Sequence, residues 1–167
     1  ALYMKHIDET KYDHNALKKE NGNSQYADWL SYEPMESHSK QQYITVNGKR
    51  ELKPEAVGYW NFLSAAYWAM DAEMMVDMAV ATGRDAAPYR EMNERAKRYI
   101  RSKFLKADGT FKTKILNTMQ TPALFALKAG VVEGKAKADM IARLRENFKQ
   151  HDNCLQTGFL GTSILMS

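Results

Sequence analysis

Two carboxylates and three large aromatics crowd one short stretch of this sequence, "QYADWLSYEP", residues 25–34. Asp28 stands beside Trp29, with Tyr26, Tyr32 and Glu33 around them and Pro34 closing the run. Aromatic surface is costly in water, so a loop that carries this much of it needs either a core or a ligand to cover it. A sugar is one such ligand. Its C–H face packs on an indole and its rim of hydroxyls donates to a carboxylate, so Asp28 and Trp29 together have the chemistry of a carbohydrate subsite. A blander reading stands beside this one: Trp29 plugs the loop to the core while Asp28 caps a helix or a turn. The dipeptide alone favours the plug.

Acid–base chemistry is a second use for Asp28, Glu33 and Glu36. Inverting glycoside hydrolysis needs two carboxyl groups roughly 6.5–9.5 Å apart. No such distance can be read from spacing, and unpaired surface acids are the simpler reading. His6, His14, His38 and His151 lack metal-ligand spacing, and Cys154 has no second cysteine to pair with, so no metal or cofactor is expected. Phosphate-binding and nucleophile-elbow glycine motifs do not occur. The basic run Arg95, Lys97, Arg98, Arg101 and Lys103 is mixed with Glu91 and Glu94, which reads as a solvated helix face and not a nucleic-acid patch.

The elements that must position these groups are mainly helical. With 167 residues, 44% hydrophobic and 26% charged, the chain has the composition of a single globular domain, and a net charge of +4 gives no strong pull toward polyanions. One cysteine excludes an internal disulfide framework and leaves the compartment open. The opening residues turn charged within five positions and do not read as a signal peptide.

A short helix is expected over residues 1–8. Residues 21–53 read as an irregular pocket loop carrying a small β-hairpin near 42–52, because Asn47-Gly48 between extended runs supplies a type I′ turn. Pro54 opens a long helix and Gly83 stops it. Val57, Trp60, Leu63, Tyr67, Met70, Met74 and Met78 spread over nearly every face, so that helix should be buried, with its methionines filling core gaps. Glu55, Asn61, Asp71, Glu73 and Asp77 keep it from being a membrane span. Asp85 then caps a one-sided helix that carries Tyr89, Met92, Ala96, Tyr99 and Phe104 on its apolar face. "QTPALFALKAG" follows as a short apolar helix ending at Gly130. Next comes an amphipathic helix with Ala138, Ile141, Leu144 and Phe148 in one stripe. A final apolar helix should start at Gly161-Thr162-Ser163, with Ile164, Leu165 and Met166 in its first buried turn.

Buried and amphipathic helices thus alternate, which builds two concentric layers: an all-α fold, either an (α/α)6 toroid or an α-solenoid. Without a fixed-period repeat the solenoid is disfavoured. A closed toroid needs on the order of 300 residues, so residues 1–167 are expected to form one partial domain, about half a toroid. Exposed edges of its inner layer would favour self-association. The pocket of such a toroid lies where loops enter the inner helices, here "YADWLSYEP" and "CLQTGFLGT".

At this point the sequence resembles a known family. "YADWLS" is similar to the Gly-Asp-Trp-Leu segment of bacterial α-L-rhamnosidases, glycoside hydrolase family 78. The likeness continues in order through "YWNFLSAAYWAMDAEMMVDMAVATGRDAAPYREMNERAKRYIRSKFL", "MQTPALFALKAGVVEG" and "LQTGFLGTSILM", and so covers most of the chain. It implies an (α/α)6 catalytic toroid that releases terminal α-L-rhamnose from glycans or glycosides by inverting hydrolysis. In the family the acid lies upstream in an Arg-Asp-Glu-Arg-like motif, which is absent here, and the base lies downstream of the Thr-Gly-Phe segment. The resemblance therefore implies no catalytic residue in this chain. It implies sugar-binding roles for Asp28 and Trp29 and, less closely matched, for Gln120, Thr157 and Phe159. Ala27 departs from the family's glycine, and alanine disfavours positive φ, so the loop would turn differently. Two other readings remain: a helical-hairpin interaction module without sugar chemistry, and an (α/α)6 glycosidase or lyase for another sugar.

Overall fold

The computed structural model describes residues 31–33 and 43–167. The expected helix over residues 1–8, the Asp28-Trp29 pair and Glu36 lie outside the described residues.

Two antiparallel strands come first, β1 (Tyr43–Val46) and β2 (Lys49–Leu52), in register from Tyr43↔Leu52 to Val46↔Lys49. Asn47 and Gly48 join them at φ 50° and 73°, the left-handed pair that a type I′ turn requires. The Arg50 guanidinium lies 3.8 Å from the centre of the Tyr43 ring, a cation–π contact on the hairpin surface. Five α-helices follow among the described residues: α1 (Pro54–Ala81), α2 (Ala87–Phe104), α3 (Gln120–Lys128), α4 (Gly134–Gln150) and α5 (Phe159–Met166). A 3-10 turn, Lys114–Thr118, leads into α3.

The local signals place these boundaries well. Pro54 sits in the first turn of α1. At the other end Gly83 N–H donates to Val80 O and Arg84 N–H to Ala79 O, the paired bonds of a Schellman stop. The N-cap of α2 is Ala86, and Asp85, one residue before it, accepts the Ala87 N–H on a carboxylate oxygen at 2.9 Å, an Asx turn into the helix.

Helix α1 packs on α2 and α3, and α3 packs in turn on α4 and α5. The apolar helices α1, α3 and α5 therefore form an inner row, with α2 and α4 sealing it from outside. Phe62 is fully buried at the joint. Its ring meets Phe104 of α2 edge-on at 5.7 Å and Phe111 of the following loop at 4.9 Å. Farther along α1 and about 140° around it, on the side toward α3, Tyr67 meets Phe125 at 5.2 Å. Met92, Ala96, Ile100 and Phe104 supply the buried stripe of α2 at 3–4 spacing.

Four expectations need correction. Helix α1 is not buried throughout: Met74, Met78 and Val80 are 52%, 55% and 58% exposed, so two of its methionines do not fill the core. The reason is length. At about 1.5 Å per residue α3 extends only about 13 Å and runs out before it can cover the far end of α1. In α4 the buried residue is Met140, while Ala138 faces solvent and Ile141, Leu144 and Phe148 are half-buried. Helix α5 begins at Phe159 after Gly158, earlier than Gly161, and of the three residues expected in its buried turn Ile164 packs on the core while Leu165 and Met166 are exposed. The basic face of α2 is not simply solvated. Arg101 donates to Val131 O at 3.1 Å and Gly130 O at 3.4 Å in the loop just after α3, and to Glu133 at 2.8 Å. Lys97 pairs with Glu73 of α1 at 3.3 Å.

The turn between α2 and the 3-10 segment is set by Asp108, which accepts both the hydroxyl and the N–H of Thr110; these bonds hold its carboxyl below the usual range. Its neighbour Gly109 has φ +77°, and a Cβ there would stand 2.8 Å from Ala136 Cβ on α4. Gly109→Ala combines a left-handed strain with a clash, so it should lower the unfolding free energy by about 2 kcal/mol, read as a shift in the urea midpoint at unchanged slope.

Candidate functional site

Helices α1 and α3 run in the same direction. Gly58, early in α1, lies against Thr113 just before the 3-10 turn, and Tyr67 and Phe125 meet farther along both helices. The loops that enter the inner row therefore collect at one end of the molecule.

Glu33 is at the centre of that end. It is only 5% exposed, and its Oε1 accepts the backbone N–H groups of Gln120 and of Thr121, the latter at 3.0 Å. These are the first N–H groups of α3, which no residue within the helix can satisfy. The N-cap position is Met119, whose side chain cannot accept for them. A carboxylate from far upstream does so instead, and the positive end of the helix dipole favours its charge. One residue earlier, Tyr32 N–H donates to Gln156 O at 2.9 Å.

Gln120 carries the second half of the site. Its side chain is fully buried, and Nε2 donates to Asn147 Oδ1 at 2.9 Å and to Cys154 O at 3.3 Å. Its Oε1 accepts Gln156 N–H at 2.9 Å. Asn147, on the inner side of α4, donates onward to Thr118 O at 2.8 Å, and its own carbonyl meets His151 Nδ1 at 2.8 Å. The 151–158 loop is thus held along most of its length. Thr157 is buried at its end, with its hydroxyl 2.8 Å from that of Thr162 across the first turn of α5.

The structure brings Gln120 and Thr157 together but occupies both polar side chains within the protein. Phe159 behaves differently and stands 71% exposed at the head of α5. Tyr32 is 84% exposed although its backbone is anchored. Glu33, which reads from sequence as a surface acid or a member of an acid–base pair, is a buried helix cap. His151 belongs to the loop scaffold, and Cys154 is exposed and free. No group of His, Cys, Asp or Glu that could hold a metal is present among the described residues.

Asn147 is the participant that sequence reasoning misses. The available signal is its spacing from Met140 and Leu144, which puts an amide in line with the inward stripe of α4. Two further buried polar atoms lie near the start of α1: Trp60 Nε1 and Asn61 Oδ1 have no hydrogen-bond partner among the described residues. Burial pushes the carboxyl of Asp71 up, but Asp71 lies roughly 25 Å along α1 from Pro54, away from the loop cluster.

The family described as the bacterial alpha-L-rhamnosidase 6 hairpin glycosidase domain matches residues 1–167. This chain belongs to that family. The alternation of apolar and amphipathic helices is the hairpin repeat of the six-hairpin domain. An α-L-rhamnosidase of Streptomyces avermitilis is 28% identical over 142 residues, covering 77% of this chain and 13% of that protein. The crystal structure of the S. avermitilis α-L-rhamnosidase complexed with L-rhamnose superimposes with a TM-score of 0.57 at 27% identity, over 65% of this chain and 10% of that one. The native α-L-rhamnosidase of Aspergillus terreus shares the fold, with a TM-score of 0.62 at 20% identity over 86% of this chain and 15% of that one. This rhamnosidase-family chain therefore spans a small part of the length of these relatives. Its candidate site is the cluster formed by residues 31–33, the start of α3 and the 151–158 loop.

Proposed function

We propose that this chain is part of a glycoside hydrolase that removes terminal α-L-rhamnose by inverting hydrolysis, that it contributes part of the sugar pocket, and that it is inactive alone. In this reading it makes up about half of an (α/α)6 toroid. The observation that supports it is the family match over residues 1–167, with the loops of the expected pocket gathered at one end of the inner helices.

Asp28 would accept hydrogen bonds from sugar hydroxyls and Trp29 would cover the C–H face. The exposed Phe159 adds apolar surface, while Gln120 and Thr157 shape the loop that presents it. The reacting carboxyl pair is assigned outside the chain, because the Arg-Asp-Glu-Arg-like motif does not occur in it. One carboxylic acid of that pair protonates the leaving oxygen. The other takes a proton from a water that attacks the anomeric carbon from the opposite face as the glycosidic bond breaks.

An aryl α-L-rhamnoside tests this directly. The complete polypeptide in which this sequence occurs should cleave it, with the inverted anomer of rhamnose appearing first by NMR, and the 167-residue chain should not. Turnover by the chain alone would place the carboxyl pair within it and overturn the assignment. Cleavage of another glycoside in place of the rhamnoside would overturn the substrate.

A further inference from the structure

We infer that Tyr32, Leu155 and Phe159 form a further subsite, which takes an aromatic leaving group of the rhamnoside. This rests on the rhamnosidase reading above and divides the substrate between two parts of the site.

Three observations carry it. The backbone at residues 31–33 alternates: Ser31 and Glu33 are buried and Tyr32 between them is exposed, so the segment anchors inward while it turns the Tyr32 ring outward. Tyr32 N–H donates to Gln156 O at 2.9 Å, which sets that ring beside the 151–158 loop. The loop in turn exposes apolar side chains close to Gln156, with Leu155 next to it and Phe159 three residues on. Three residues span at most about 11 Å, so the three side chains stand on backbone within about 18 Å of one another. Exposed apolar residues scattered singly need no explanation, but three gathered at the loop end of the inner helices do.

The supports of this patch are rigid. Glu33 Oε1 accepts Thr121 N–H at 3.0 Å, and the Gln120 side chain holds Cys154 O and Gln156 N–H. Gly158 O accepts Thr162 N–H at 3.1 Å in the first turn of α5, directly beside Phe159. An aromatic ring on a held backbone has only two torsions left to fix, so it binds at low entropic cost.

The chemistry of the patch selects its ligand. Leu155 and Phe159 have no hydrogen-bonding group on their side chains, and the polar side chains of Gln120 and Thr157 are bonded within the protein. A rhamnose ring presents hydroxyls that need such partners, whereas an aromatic ring needs apolar faces and edges. The patch therefore suits the leaving group and leaves recognition of the sugar to other residues.

The test uses the complete polypeptide, with naphthyl and methyl α-L-rhamnosides as substrates and free L-rhamnose as inhibitor. Tyr32→Ala and Phe159→Ala should each lower the kcat/KM ratio of the naphthyl over the methyl glycoside by about threefold to tenfold, the worth of one aromatic contact, at an unchanged rhamnose inhibition constant. Tyr32→Phe keeps the ring and should keep the ratio. An unchanged ratio in folded alanine variants would overturn the inference. So would a rhamnose inhibition constant that rises in step, since the rings would then belong to the sugar's own subsite. Should the alanine variants fail to fold, Tyr32→Leu and Phe159→Leu, which keep apolar bulk without a ring face, decide by the same ratio. Failure of the unmodified protein to cleave either rhamnoside would instead remove the rhamnosidase reading, and this inference with it.

Discussion

Gln120→Leu should lower the unfolding free energy by about 3 kcal/mol, because leucine keeps the volume and removes every polar contact of a buried amide. Asn147 Oδ1, Cys154 O and Gln156 N–H all lose their bonds to this side chain. An orphaned buried polar group costs about 1–3 kcal/mol, and the sum is held down because Cys154 is exposed and water can reach the loop. Urea melts at unchanged slope measure the loss. Hydrogen exchange should show it concentrated in residues 151–158, with α2 unaffected well below the melting range. A loss under about 1 kcal/mol would mean that the amide does not hold the loop.

The legible parts of this fold are those decided locally. Asn47-Gly48 dictates its turn, Pro54 and Gly83 bracket α1, and Gly130 at φ +62° ends the step after α3, each by backbone geometry that a few residues determine. The inner and outer rows were legible for a similar reason, since apolar coverage of a helix reports how many sides are packed. Burial of Met74 and Met78 was not, because it depends on how far α3 extends beside them. The start of α5 is not legible, because Thr162-Ser163 after Gly161 look like a cap. The Thr162 hydroxyl instead reaches back to Thr157 across a turn begun at Gly158. The site followed the same divide. The sequence points to Gln120 and the Thr157–Phe159 segment, but their placement depends on Asn147 and Glu33, whose partners lie 27 and 87 residues away. Nothing in "SYEP" distinguishes a remote helix cap from a surface acid.

Phe62→Ala should have the largest effect, a loss of about 3–5 kcal/mol. The ring is completely buried and meets two other rings edge-on, and each such pair adds about 0.5–1.5 kcal/mol beyond its area. Against a typical domain stability of about 5–15 kcal/mol, that is at least about a fifth of the whole. The position explains why collapse cannot heal the cavity. Phe62 joins α1 to Phe104 at the end of α2 and to Phe111 in the next loop, and Phe111 is itself pinned. Its N–H donates to Asn117 Oδ1 at 2.8 Å, and its carbonyl accepts from Asn117 Nδ2 at 3.0 Å. Those bonds fix the approach to the 3-10 turn and so to Gln120, which links core packing to the pocket end. Phe62→Leu should recover much of the loss, because it refills most of the volume without restoring the edge contacts. Urea melts of both variants measure the difference, and exchange at residues 111–121 should accelerate in Phe62→Ala before the rest of the chain responds. A loss below about 1.5 kcal/mol would show that the core closes around the missing ring and that Phe62 does not couple the hairpin to the site.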